Sequence, residues 1–247
     1  MTLPVASAWA FGLVLFRTAG VLITAPILSA RLVPARSRLA LAVLVAWAAW
    51  NGAGAPSAAA PEHVGALAAA AAAETAVGML SGLAARFVLL AAVSAGQLAA
   101  QAIGIGFAAT LDPASGAEST AAGELTHMLA QGGAVALGIH REAIAWVARS
   151  TVAFPPGGEP SLRATALKLV WEATGAAALG ARVAFPMLSA VLLGQVVMAA
   201  LGRSAPQLNL GTIGFSAAVA AGGAAFYLVA PAAAEVVARA AVAALGA

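Results

Sequence analysis

The sequence contains no cysteine and few charged residues. The missing cysteine excludes disulfide bonds, thiolate catalysis and cysteine-ligated metal within these 247 residues. Only 9% of the residues are Asp, Glu, Lys or Arg, whereas a soluble domain carries about 25%. With 62% hydrophobic residues and a mean hydropathy of +0.97, a chain of this size has no way to hide its apolar surface from water. The composition therefore predicts an integral membrane protein.

The sequence also lacks the patterns that carry enzyme chemistry. The histidines His63, His127 and His140 have no carboxylate or second histidine at the spacing of metal ligands. Ser-x-x-Lys, Gly-x-Ser-x-Gly and Gly-Lys-Ser motifs are missing as well. The twelve basic residues are spread thinly along the chain, which does not indicate a nucleic-acid patch. We therefore expect no enzymatic activity, no cofactor, no metal and no nucleic-acid partner.

Several apolar stretches are long enough to span a bilayer but carry charged residues. Leu3 to Ala30 contains Arg17 near its middle, and an arginine at the bilayer centre costs about 2.5–3.5 kcal/mol on insertion scales. Val64 to Leu111 is either two segments with a tight turn or one long bent helix, and Leu162 to Leu201 exceeds one span. The pattern predicts an all-α polytopic membrane protein of long kinked helices and helical hairpins, with many helices facing protein instead of lipid.

One loop is marked by basic residues. Arg31 to Arg38 holds three arginines and no acid, which by the positive-inside rule marks the cytoplasmic side. The apolar run after it, Leu39 to Trp50, is only twelve residues long, about 18 Å of helix against a bilayer core of about 30 Å.

The second half of the chain contains the clearest boundary. Thr126 to Phe154 is an apolar stretch interrupted by polar residues at 140–142, and Pro155 to Pro160 is a linker rich in proline and glycine. The pattern beyond this linker is typical of a long helical hairpin with a polar tip. We expect Gly211 to Val229 to be its last apolar segment, and Ala232 to Ala247 to form a short helical tail.

The stretch from Ser94 to Thr120 ends in backbone that is free to leave a regular helix. Two glycines, one aromatic residue and a turn-forming Asp-Pro pair mark it: Gly104, Gly106, Phe107, Leu111, Asp112 and Pro113. Lipid tolerates irregular backbone only where protein or a watery cavity adjoins it. The loop is either a re-entrant turn between packed helices or the plug of a pore, and composition alone favours the turn.

Five ionisable residues lie within the apolar stretches: Arg17, Glu74, Arg86, Glu172 and Arg182. Such groups in membranes form proton relays or ion pairs. We favour ion pairs, buried within the chain or between subunits.

Three separated groups of motifs point to one family. The first comprises Arg17-x-x-Gly20, Pro26 and the arginine loop. The second comprises Glu74-x-x-x-Gly78-x-x-x-Gly82, Gln97, Gln101, Gly104, Asp112-Pro113, Gly138-x-His140, Ser150 and Pro155-Pro156-Gly157. The third comprises Pro186, the loop GRSAPQLN at 202–209 and Ile213-Gly214-Phe215. Together they resemble the flagellar biosynthesis protein FliR and its counterpart in injectisomes, the T-type export-apparatus protein (SctT).

This resemblance implies a subunit of the type III protein export gate in the bacterial inner membrane, at the flagellar basal body or the injectisome base. One such subunit assembles with five P-type and four Q-type subunits, beside a switch protein of the FlhB/SctU type and a subunit of the FlhA/SctV type. Residues 1–154 would be the P-type-like region, 155–163 a linker and 164–247 a Q-type-like hairpin. The flagellar and virulence branches both stay open.

The resemblance also implies roles for two loops. The loop around Gly106 to Ser119 would plug the pore through which unfolded proteins are exported. A cytoplasmic tip loop would lie near the switch protein: Arg203, Pro206, Gln207 and Asn209. The alternatives are a stand-alone secondary carrier that uses Glu74, Glu172 and the arginines as its ion path, and an assembly scaffold with no role in the pore.

Overall fold

A computed structural model describes residues 5–26, 34–59, 61, 63–104, 120–158, 162–204 and 210–246. The described residues form seven α-helices and no strand, which confirms the predicted all-α class. In chain order the helices are α1 (Val5–Thr24), α2 (Ala35–Gly52), α3 (Val64–Ile103), α4 (Ala121–Ala136), α5 (Ile139–Ala153), α6 (Leu162–Ser204) and α7 (Leu210–Gly246).

Among the described residues, four segments are long and apolar enough to cross a membrane, which agrees with the membrane class predicted from composition. They are α1, α3, residues Leu162–Val197 of α6 and residues Val219–Gly246 of α7. The short run from Leu39 to Trp50 belongs to the 18-residue helix α2, which begins with two arginines in its first turn.

The longest apolar stretches each form one helix. α3 continues for 40 residues, which settles the choice left open for Val64 to Leu111 in favour of a single helix as far as Ile103. α6 continues for 43 residues with Pro186 inside it. Because backbone groups in lipid have no water to bind, an unbroken helix is the state that satisfies them.

Two helix boundaries differ from the sequence-based expectation. The predicted separate tail after Val229 is wrong, because α7 runs without a break through Pro231 to Gly246. Proline occurs within membrane helices where neighbouring groups satisfy the freed backbone. On both sides of Pro231, Ala230 and Ala233 lie in a buried cluster. The stretch from Thr126 to Phe154 breaks at Gly138, which has φ +85°, so the polar residues 140–142 form the first turn of α5.

The helices are organised into two compact units. Unit 1 comprises Met1–Phe87, Val135–Ala173 and Ala241–Ala247, and unit 2 comprises Val88–Ala134 and Thr174–Ala240. The division between the units cuts through α3, α6 and α7. It reflects packing and not sequence order, so the predicted boundary at 155–163 stays a prediction.

In unit 1, α1 packs against α2, α3 and α5. Its residues Leu13, Val14 and Val21 are buried. Near its beginning, the ring of Phe11 meets the ring of Trp50 edge to face, with centroids 6.0 Å apart. The Trp50 indole then donates a hydrogen bond to the carbonyl of Pro56 at 2.9 Å. These contacts fix α2 and the loop after it against α1.

The crossing of α1 and α3 depends on three glycines, Gly20, Gly78 and Gly82. A methyl group added at Gly78 would collide with the backbone carbonyl of Arg17, and one at Gly20 with the carbonyl of Thr75. One added at Gly82 would collide with the hydroxyl of Thr24. Small residues let helix backbones approach closely in membranes, and here they bring α1 and α3 into direct backbone contact.

In unit 2, the end of α3 and the beginning of α4 form a close hairpin. The Thr126 hydroxyl donates to the Ala92 carbonyl at 2.7 Å, and a methyl group at Gly96 would collide with Thr126 and Ala122. Next to this hairpin, Ala99 of α3, Met187 of α6 and Ala230 of α7 share a buried apolar cluster. α6 and α7 also pack together where Val191 contacts Gly222.

Substituting Gly78 tests the crossing. We expect Gly78→Ala to destabilise the protein by about 1–3 kcal/mol, because overpacking forces two backbones apart. The measurement is the melting temperature of the full chain in detergent. Gly65→Ala is the matched control, since Gly65 lies on the same helix with nothing within 4 Å of an added methyl group. Equal melting temperatures for the two variants would contradict the close crossing.

Candidate functional site

A buried ion pair joins α1 to α3. The Arg17 Nε donates to Glu74 Oε2 at 2.6 Å and Arg17 Nη2 donates to Glu74 Oε1 at 3.0 Å. The two parallel bonds make a bidentate pair, the strongest arrangement of guanidinium and carboxylate. The side chains are 1% and 2% exposed, so the pair is withdrawn from both solvent and lipid.

The same guanidinium also holds the end of α5. Arg17 Nη1 donates to the Ser150 carbonyl at 2.8 Å and lies 3.4 Å from its hydroxyl, and Arg17 Nη2 donates to the Phe154 carbonyl at 3.0 Å. Carbonyls in the last turn of a helix lack partners within it and carry partial negative charge. Arg17 therefore supplies donors to the C-terminal end of α5 while it neutralises Glu74.

This site leaves no donor of the guanidinium free. Its five N–H groups are directed at Glu74, Ser150 and Phe154, and the positive charge meets one negative charge. A buried charge is tolerated when it is paired and its hydrogen bonds are satisfied. The arrangement is suited to holding three helices together, and it leaves neither charge free to bind a mobile ion.

The site brings together motif residues that are far apart in sequence. Arg17 and Gly20 come from the first group of motifs, and Glu74, Gly78 and Ser150 from the second. Their convergence results from the glycine crossing, since Gly78 lies one helical turn after Glu74 and contacts the Arg17 backbone. Phe154 takes part through its carbonyl only, and a backbone acceptor leaves no signal in the sequence.

The other three charges predicted to be buried or intersubunit lie elsewhere. Arg86 on α3 and Arg182 on α6 are exposed, and Glu172 on α6 is half-buried. Within the described part of the chain, none of the three forms an ion pair. The structure therefore brings together only Arg17 and Glu74 of the five.

The predicted plug loop is described only at its first residue. Gly104 ends α3 with φ +92°, in the left-handed region that glycine adopts without strain. Its amide donates to the Ala100 carbonyl at 3.1 Å. The other five residues predicted for the plug lie outside the described residues: Gly106, Phe107, Leu111, Asp112 and Pro113. The structure does describe the helices on either side of the loop, α3 and α4, which pack as a hairpin. We call this α3–α4 hairpin the stem.

The predicted tip loop is likewise described at one residue. Arg203 is exposed in the last turn of α6, where a positive charge suits the negative end of the helix dipole. The remaining tip residues, Pro206, Gln207 and Asn209, lie outside the described residues.

The fold and site define a class of protein. This is a polytopic α-helical membrane protein with an arginine and a glutamate neutralised within its own helices. A family model described as bacterial export proteins, family 1, matches residues 8–243. The chain is also 30% identical over 205 residues to the flagellar biosynthetic protein FliR of Escherichia coli strain K12, a match covering 81% of this chain and 76% of that protein. The chain belongs to this family of export proteins, which confirms the predicted FliR/SctT membership.

Paired substitutions test the ion pair. We expect Glu74→Leu alone to cost about 3–5 kcal/mol, because it leaves a buried arginine unpaired. Adding Arg17→Leu should recover part of that loss. The recovery stays incomplete because the Phe154 and Ser150 carbonyls lose the Arg17 donors, and Ser150 keeps only the Phe154 amide at 2.9 Å. Melting temperatures of both single variants and the double variant in detergent measure the coupling.

The exposed pair of Arg239 and Glu235, whose side chains are 70% and 56% exposed, is the control. Its removal should change stability by less than about 0.5 kcal/mol. Strictly additive losses at Arg17 and Glu74 would show that the two do not act as a pair.

Proposed function

We propose that this chain is a non-enzymatic subunit of the type III protein export gate in the bacterial inner membrane. The observation that carries the proposal is the family match from residue 8 to residue 243. The similarity to a flagellar protein over 81% of the chain favours the flagellar basal body over the injectisome base. In this proposal the chain helps to form and close a pore for unfolded proteins.

The proposed partners are P-type and Q-type gate subunits, in the five-to-four-to-one assembly, with the switch protein and the FlhA/SctV-type subunit nearby. Residues 1–154 correspond to a P-type-like region and residues 164–247 to a Q-type-like hairpin. The exposure of large apolar side chains supports an assembly of this kind within a membrane. Trp171 on α6 is 77% exposed and Tyr227 on α7 is 79% exposed, and such surfaces need lipid or a partner to cover them.

The loop around Gly106 to Ser119 is the proposed plug. Its support is the hairpin on both sides of it, where Gly96 and Gly123 allow the backbones of α3 and α4 to approach closely. A fixed stem with a glycine at the exit of α3 suits a loop that closes a pore by apolar packing and later moves. Arg203 and the tip loop after it are proposed to contact the switch protein on the cytoplasmic side.

The site weakens the carrier alternative. A carrier that used Glu74 as an ion site would need that carboxylate to exchange partners during transport. In this chain both Glu74 oxygens are engaged by Arg17 and the side chain is 2% exposed. We therefore favour the gate subunit over the carrier.

Mass measurement separates these functions. We expect the chain, extracted from membranes in mild detergent, to remain in a stable complex several times heavier than its own 24.0 kDa. The measurement is native mass spectrometry with an affinity tag on this chain. A monodisperse single chain that remains folded would favour the carrier and contradict the gate.

Deletion of the loop tests the plug. We expect removal of residues 108–119 to leave the rest of the complex assembled while the membrane becomes permeable to small ions, because the pore loses its closure. Conductance of reconstituted complexes checks this, and the matched control replaces the same residues with glycine and serine of equal number. Complexes that remain ion-tight after the deletion would exclude the plug role.

A further inference from the structure

An apolar cleft with one arginine at its edge lies between α1 and α2 in unit 1. It encloses about 270 Å³ and is lined by six apolar side chains and Arg38. The apolar residues are Ala19, Leu22, Ile23, Ala35, Leu39 and Ala42. Ile23 is 53% exposed and Leu39 64% exposed at its rim, so the cleft opens outward from the helices.

Arg38 has an unmet hydrogen-bonding requirement in this cleft. Its Nε atom is buried and has no hydrogen-bond partner in the part of the chain that the structure describes. Arg38 forms no ion pair within the described residues. A buried N–H group of a charged side chain without an acceptor is costly, which indicates that an acceptor from outside the described residues belongs here.

The surroundings of Arg38 are positively charged. Arg36 lies two residues earlier on the same helix and is exposed, and the first turn of α2 has no acidic residue and no side-chain cap. The amide groups at this helix start add further positive charge. The first acidic residue in the sequence is Glu62, and Glu74 is already bound to Arg17. The described residues therefore provide no anion that complements the charge at this end of α2.

We propose that the cleft binds an anionic phospholipid, with its phosphate on Arg38 and Arg36 and part of an acyl chain along α1 and α2. Both the charge and the shape of the cleft fit a phospholipid, because a basic group lies directly beside an apolar cleft in a membrane protein. Arginine-rich segments on the cytoplasmic side of a membrane attract anionic headgroups, and basic pockets between helices there bind them. The inference does not depend on the export function, since it uses only the α1–α2 pair and the membrane.

The test measures which lipids remain bound to the purified complex. The full chain in its complex is reconstituted in nanodiscs of phosphatidylglycerol or of phosphatidylcholine and released for native mass spectrometry. We expect phosphatidylglycerol to be retained in preference to phosphatidylcholine. Arg38→Gln should lower that retention about fivefold, the effect of roughly one basic charge near an anionic surface. Arg163→Gln is the control, because Arg163 is an exposed arginine on a different helix, α6, with no proposed contact.

Two further variants keep the test decisive. Arg38→Lys keeps the charge and should retain the lipid, which separates loss of charge from loss of folding. Ala35→Phe, at an exposed position that lines the cleft, should displace the acyl chain with both arginines in place.

Four results would overturn the proposal. One is equal retention of the two lipids, and another is no effect of Arg38→Gln. The third is release of the bound molecule by millimolar inorganic phosphate, which would assign the site to a free anion. A wild-type complex that retains no lipid at all would also exclude the proposal, since a protein segment would then fill the cleft.

Discussion

The packing of α1 with α3 and α5 depends on the guanidinium of Arg17, which has no access to water. An arginine at mid-depth in an apolar helix must find a negative charge and acceptors for its five N–H groups, or the helix is poorly tolerated in a membrane. Glu74 supplies the charge, and the end of α5 supplies the remaining carbonyls. One side chain on α1 therefore fixes the positions of two other helices, through residues 57 and 133 positions away in the sequence.

The glycine crossing and the ion pair depend on each other. Helices in lipid gain little from the hydrophobic effect when they associate, so close packing and polar contacts decide which faces meet. Gly20 and Gly78 let the backbones touch, and that contact places the Glu74 carboxylate within 2.6 Å of Arg17 Nε. A bulkier residue at the crossing would separate Arg17 from Glu74. Loss of either charge would remove the polar contact that favours this pairing of α1 with α3.

The sequence predicts the helices better than it predicts their partners. The apolar runs are enough to predict a membrane protein. The arginine in α1 is enough to predict that a partner for its charge exists. They do not decide between Glu74 and Glu172, because both acids lie in apolar helices and only the fold brings one of them to Arg17. Helix ends are harder to predict. Proline often ends a helix, yet α7 continues through Pro231, between the buried Ala230 and Ala233. At Gly138 a positive φ, and not the polar residues after it, separates α4 from α5.

Because Arg17 is neutralised within the chain, it does not require a neighbouring subunit. The other charged residues in the apolar helices are the ones that bear on assembly. Arg86 and Arg182 are exposed on helices apolar enough to span a membrane, and an exposed guanidinium facing hydrocarbon is poorly tolerated without protein or water beside it. Both helices therefore have surfaces that a bilayer alone does not satisfy. A stand-alone chain would need water-filled grooves at both positions, whereas neighbouring subunits would supply acceptors directly. The exposed charges thus support assembly with other subunits.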